Sequence, residues 1–166
     1  MKKDEVETMD ITALASEYEA STAYVTEIIE SLSESDLDKH QEGGWSPRQV
    51  IHHLADSEAQ SYARLRRLIA EPEGSLIQGY DEGAWASNEI LGYTTLPVEN
   101  SIAVLTAVRA ASLDILRRLK ESDLSRAGVH SESGEYSVAK WIKVYSNHPR
   151  DHGNQIKEAL ALRFNA

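Results

Sequence analysis

The chain has 166 residues, with 27 acidic side chains against 17 basic ones, a formal net charge of −10 and no cysteine. Its length suits one domain with a real core, taken as residues 1–166. The acidic balance argues against nucleic-acid partners and anionic membranes, both of which need basic surface, and the missing thiols exclude disulfides, thiolate-rich metal sites and a cysteine nucleophile. The opening MKKDEVETMD lacks the apolar core of a signal peptide, and no run of about 18 apolar residues exists to span a bilayer. A cytoplasmic protein is expected.

Four helices follow from periodicity. The first has Asp10 as N-cap and carries Ile11, Leu14, Tyr18, Val25, Ile28 and Leu32 at steps of three, four and seven. The second opens at Ser46-Pro47-Arg48-Gln49, a capping box with proline at the first helical position, and runs to about Ala70. There Glu71-Pro72-Glu73-Gly74 breaks it. The third begins near Pro97, with Ile102, Leu105, Val108, Ser112, Leu116 and Leu119 on one side. The fourth runs from near Ser137 to about Phe164, with Trp141, Tyr145, Ile156, Leu160 and Phe164 inward. Gly128 to Glu135 suits a short hairpin, but nothing alternates for long enough to make a core strand, so the fold class is all-α.

Between the second and third helices lie the residues from Glu71 to Leu96, far more than the usual 2–8 of about-turns in bundles. A helix of about 24 residues is roughly 36 Å long. A connection of this length can therefore return along the bundle, which makes helices two and three parallel and the segment an overhand crossover; an inserted surface loop is the other reading. The motif Leu32-Ser33-Glu34-Ser35-Asp36-Leu37 before helix two is echoed by Leu119-Lys120-Glu121-Ser122-Asp123-Leu124 before helix four. The echo makes helices two and four natural partners for a shared site.

Helical geometry then selects among the histidines. At about 100° per residue, His148 and His152 fall on one face with Trp141, Tyr145 and Ile156, and an i, i+4 pair offers two nitrogens to one metal. On helix two, His53 lies at the edge of the arc of Val50, Leu54, Leu65 and Leu68, beside Ser57. His52 points away and reads as a surface residue; His40 and His130 lie in connections and read as solvated. A lone inward histidine is most often a hydrogen-bonded core residue, but three on two helices favour a metal. Three neutral imidazoles with an open fourth position describe a catalytic type of site. Asp56, Asp151 and Gln155 are candidates to orient an imidazole or a ligand, or to shuttle a proton. Pro149, Gly153 and Asn154 are poor helix formers beside these ligands. Either a kinked helix continues through them, which is expected, or a new helix starts at Pro149.

The stretches Gly44-Trp45-Ser46-Pro47-Arg48-Gln49-Val50-Ile51-His52-His53-Leu54-Ala55-Asp56-Ser57, Tyr80-Asp81-Glu82-Gly83-Ala84-Trp85 and His148-Pro149-Arg150-Asp151-His152, with Gln155-Ile156, resemble the DinB/YfiT-like family of metalloenzymes. The resemblance covers most of the chain from Gly43 onward, and its Tyr80-Asp81-Glu82-x-x-Trp85 piece is particularly similar to the YfiT branch. It implies a four-helix bundle of up-down-down-up topology, a homodimer, and a divalent ion, zinc or nickel, held by His53, His148 and His152. It further implies a small-molecule substrate and either hydrolysis or transfer of a low-molecular-weight thiol such as bacillithiol or mycothiol. Tyr80, Asp81 and Trp85 would cover the site from the crossover and bind the cofactor thiol, or simply anchor the loop. Where some relatives carry a second histidine before the last ligand, this chain has Asp151. A non-enzymatic, metal-binding dimer of the stress response is the alternative.

Overall fold

The computed structural model of the chain describes residues 10–161, so the inward placement expected of Phe164 lies outside them. Helix α1 (Ile11–Glu30) begins where Asp10 accepts the Thr12 amide at 2.9 Å. Helix α2 (Pro47–Ala70) begins on the expected capping box: the Ser46 amide donates to Gln49 Oε1 at 2.9 Å and the Gln49 amide to Ser46 Oγ at 3.3 Å. The crossover contains a two-residue strand β1 (Leu76–Ile77) and a short helix α3 (Glu82–Ser87). Helix α4 (Glu99–Leu116) follows, then strands β2 (Ala127–His130) and β3 (Gly134–Ser137), and α5 (Val138–Leu160), capped by Ser137. The two echoed motifs fold alike, as 3-10 turns over 34–36 and 121–123. In each, the aspartate accepts an amide three residues back, Ser33 to Asp36 at 3.0 Å and Lys120 to Asp123 at 2.8 Å.

Two apolar clusters fix the helix directions. One joins Ala15 and Tyr18 of α1, Leu65 and Leu68 of α2, Leu116 of α4 and Trp141 of α5. The other joins Val25 and Ile29, Val50 and Leu54, Leu105, and Ile156 of the same helices. The start of α1 thus meets the end of α2, the end of α4 and the start of α5. Helices α2 and α4 are parallel, α1 and α5 oppose them, and the four form a bundle of up-down-down-up topology with α3 in its crossover.

One element departs from the all-α expectation. The hairpin is present, spanning 127–137, but β1 adds to it in parallel, pairing Leu76 with Val129 and Ile77 with His130. A Cβ on Gly128 would stand 2.6 Å from the Ser75 carbonyl oxygen, so only glycine lets the crossover pass this close. The three-stranded sheet closes the end of the bundle where Ile77 and Tyr136 join the first cluster. Two residues are too few to show alternation.

Helix α5 runs unbroken through Pro149. The proline lacks the amide that would reach the Tyr145 carbonyl, and Arg109 of α4 supplies a replacement, Nη1 donating to that oxygen at 3.0 Å. Gly153 has a packing reason too, since a Cβ there would lie 2.9 Å from the Tyr24 ring and from Ile28 of α1. Arg109 is wholly buried, as is its ion-pair partner Glu58 at 2.7 Å. Its remaining N–H groups reach Thr22 Oγ1, the Tyr18 carbonyl and Ser21 Oγ at 2.6, 3.1 and 3.0 Å. All five guanidinium donors are therefore used, and all four long helices meet at one side chain.

Candidate metal centre

The three histidines picked out by spacing come together between the two apolar clusters. His53 Nε2 lies 3.1 Å from His152 Nε2 and 3.3 Å from His148 Nε2, and the last two are 3.1 Å apart. Two nitrogens bound to one tetrahedral zinc at about 2.05 Å stand about 3.3 Å apart, so the triangle has the size a shared ion requires. The chemistry of the set agrees. Gln155 Oε1 lies 2.7 Å from His152 Nδ1 and can only accept, so the ring carries its proton there and turns a lone pair on Nε2 toward the other two. Each nitrogen of a neutral triad offers one hydrogen or one lone pair, so hydrogen bonds cannot satisfy all three mutual contacts. A cation can.

The surroundings keep the rings neutral. Trp45 packs edge-on against His53 at 5.3 Å between centroids, and Tyr145 against His148 at 5.8 Å. Burial pushes His53 down to about 4, with the nearby His152 adding to the effect. Burial likewise holds His148 well below the usual histidine range, helped by His152, His53 and the Arg109 charge. His152 is lowered by burial as well, while the Gln155 contact pulls the other way. Neutral imidazoles are the ligating form, so nothing need be deprotonated for binding near pH 7.

The other sequence candidates fall into three groups. Gln155 touches a ligand ring directly, and Tyr80 stands on the wall of a cavity of about 320 Å³ that also includes His148 and Ser57. Trp85 packs on Tyr80, with ring centroids 4.6 Å apart, while the Asp81 side chain caps α3 by accepting the Ala84 amide. Asp56 and Asp151 hydrogen-bond to none of the three rings: the Asp56 carboxylate accepts the Tyr93 phenol at 2.5 Å, and Asp151 is exposed on α5. His52 requires a correction. It is only 5% exposed, with Nδ1 2.7 Å from Ser101 Oγ and Nε2 3.0 Å from the Leu96 carbonyl. A lone helix wheel gives it the outer face, but parallel α4 and the end of the crossover cover that face. His40 is exposed, as expected, and His130 is half-buried beside the hairpin turn.

Sequence reasoning passed over Trp45, Tyr93, Arg64, Glu58 and Arg109. Glu58 and Arg109 left a signal, standing at stripe positions of α2 and α4 where apolar residues are due. Tyr93 and Trp45 help to wall a second, larger cavity of about 670 Å³, faced mostly by the crossover.

The DinB superfamily family model matches residues 17–156. A protein of Oceanobacillus iheyensis named "Putative metal-dependent hydrolase" is 41% identical over 122 residues, 73% of this chain and 69% of that one. A second protein of the same organism and name is 34% identical over 153 residues, 92% of this chain and 86% of its own. YfiT from Bacillus subtilis, described as a probable metal-dependent hydrolase with an unusual four-helix bundle topology, superposes with a TM-score of 0.84 at 26% identity, covering 98% of this chain and 93% of YfiT. TT2238, a four-helix bundle protein, shares the fold with a TM-score of 0.62 at 19% identity, covering 89% of this chain and 98% of its own. The histidine triangle and these relatives support a metal-dependent function. On the extent of the match and the architecture alike, the chain belongs to the DinB superfamily and is YfiT-like.

Proposed function

We propose that this chain is a metal-dependent enzyme acting on a small molecule, its ion held by His53, His148 and His152. The observation that carries this reading is the triangle of Nε2 atoms beside a cavity that His148 helps to wall. Zinc or nickel suits three neutral nitrogens. When bound, such an ion supplies a Lewis-acid charge that makes a thiol or a water acidic enough to be a nucleophile near neutral pH.

Transfer of a low-molecular-weight thiol is the preferred chemistry. Among the described residues no carboxylate hydrogen-bonds to the triad, so a nucleophile there relies on the ion's own charge to lose its proton. A thiol needs the smaller push, because its own pKa of about 8.5 lies far nearer neutral than that of water. The two cavities that the crossover helps to wall provide room for two reactants. Within this scheme Gln155 holds His152 in the ligating tautomer, Trp45 and Tyr145 exclude water, and Tyr80 faces the incoming molecule. Hydrolysis is the second reading, favoured by the names of the relatives. A cytoplasmic homodimer completes the proposal.

The test is metal analysis of protein purified without nickel resin, followed by titration of the metal-loaded protein with low-molecular-weight thiols. Stoichiometric metal and metal-dependent thiol binding are expected. Absence of stoichiometric metal would overturn the enzyme reading, and metal without thiol binding would leave hydrolysis.

A further inference from the structure

The cavity that His148 helps to wall has a second polar end that the metal centre does not use. Arg64 of α2 grips the Gln78 carbonyl with Nε and Nη2 at 3.2 and 3.0 Å, and donates from Nη1 to the Tyr145 hydroxyl at 3.1 Å. Three of its five N–H groups are thereby engaged, all with neutral acceptors, and no carboxylate lies within ion-pair distance among the described residues. Its charge is unneutralised, and donors remain on both terminal nitrogens. Tyr136 of β3, only 4% exposed, brings a buried hydroxyl to the same cavity that makes no hydrogen bond of normal geometry, although the guanidinium stands near it. Tyr80 and Tyr145 add further phenols. Burial pushes all three upward, so they meet a ligand as O–H donors.

A guanidinium with free N–H groups and a ring of protonated phenols is rich in donors and matches a planar oxyanion. Glu82, Glu132 and Lys140 also face this cavity, but all three are exposed and hence screened by water and salt, whereas Arg64 is half-buried and its charge is the least screened there. Tyr145 links the two ends of the cavity: its hydroxyl takes the Arg64 hydrogen bond and its ring packs on His148. We infer that the cavity is a carboxylate subsite, with Arg64 and Tyr136 binding the anionic end of a small substrate whose other end lies at the triad. The inference rests on the metal reading above and goes beyond it by naming the substrate class and the residues that select it.

A thiol is a metal-seeking probe whichever reaction the site performs, so two thiols that differ at the far end test the claim. Zinc-loaded protein is titrated by calorimetry with 3-mercaptopropionate and with 2-mercaptoethanol, its neutral counterpart. The carboxylate is expected to improve affinity about tenfold, the scale of a hydrogen bond to a charged group. Arg64→Met should erase that advantage, bringing the two thiols to equal affinity. Tyr136→Phe, which removes one hydroxyl and no packing, should shrink the advantage severalfold. Equal affinity of the two thiols for the unmodified protein, no binding of either, or an advantage that survives Arg64→Met would overturn the subsite. If Arg64→Met does not fold, Tyr136→Phe decides, and an undiminished advantage there has the same force. Failure of the metal reading itself is visible separately, as protein that carries no zinc before any thiol is added.

Discussion

Two polar constellations lie buried in the same bundle, and they are opposites. Around Arg109, every guanidinium donor has an acceptor, and Glu58 receives both the guanidinium and the Ser61 hydroxyl, the latter at 2.8 Å. Around His53, His148 and His152, three nitrogens face one another with no set of hydrogen bonds that could satisfy them, and the Nδ1 atoms of His53 and His148 are buried without a partner. The first constellation is saturated and holds helices together. The second has bonding capacity at Nε2 that hydrogen bonds cannot use and a cation can. Unmet bonding capacity, more than burial or polarity, separates a site that binds from one that only builds.

The largest effect should come from removing a ligand. His148→Ala or His152→Ala is expected to lower bound metal from stoichiometric to trace amounts, as read by elemental analysis after dialysis, with helical circular dichroism preserved. Full metal retention by either variant would erase the distinction between the two constellations. Next, Arg109→Met should destabilise the fold by about 3–5 kcal/mol in urea denaturation, because it strands Glu58 as a buried unpaired charge. Adding Pro149→Ala should recover about 1 kcal/mol, since the restored amide can serve the Tyr145 carbonyl in place of the lost guanidinium. No recovery would mean that Arg109 does not stand in for that donor.

Gln155→Leu keeps the ligands but frees the His152 tautomer, and a loss of roughly 10–100-fold in metal affinity is expected in a chelator competition. The smallest effect is on acid stability. His53 and His148 have folded pKa values below the unfolded value of about 6.5, so the unfolded chain takes up protons first as the pH falls. Stability of the metal-free protein is then complete above that value and declines as the pH drops toward 4, the folded value of His53. Each ring that stays neutral on folding should contribute a loss of roughly 0.7 kcal/mol between pH 7 and 6. A flat profile over that range, measured in urea, would show that the rings titrate normally.

Features that follow from local spacing were readable in the chain itself. His148 and His152 share a helix face at any register, the Ser46 capping box sets where α2 begins, and the length of the crossover implies that α2 and α4 run parallel. Features that depend on what lies across the bundle were not. His52 looks outward on its own helix wheel until α4 covers it. Glu58 and Arg109 interrupt two apolar stripes at matching heights, and their meaning emerges only when the parallel pairing is known. Leu76 and Ile77 are too short a strand to carry a pattern, and Arg64 resembles any arginine on a half-exposed face until the hairpin and Tyr145 close around it.

The crossover has a further consequence. Because one segment travels the length of the bundle, it contributes Gly79, Tyr80 and Glu82 to the smaller chamber and most of the larger chamber's wall, while every nitrogen of the triad comes from α2 or α5. The crossover therefore shapes both chambers without supplying the histidine nitrogens, Arg64 or Tyr136. Loops accept change far more readily than packed helices do, so exchanging this one strap between relatives would reshape both chambers and leave the histidine triangle, Arg64 and Tyr136 where they are.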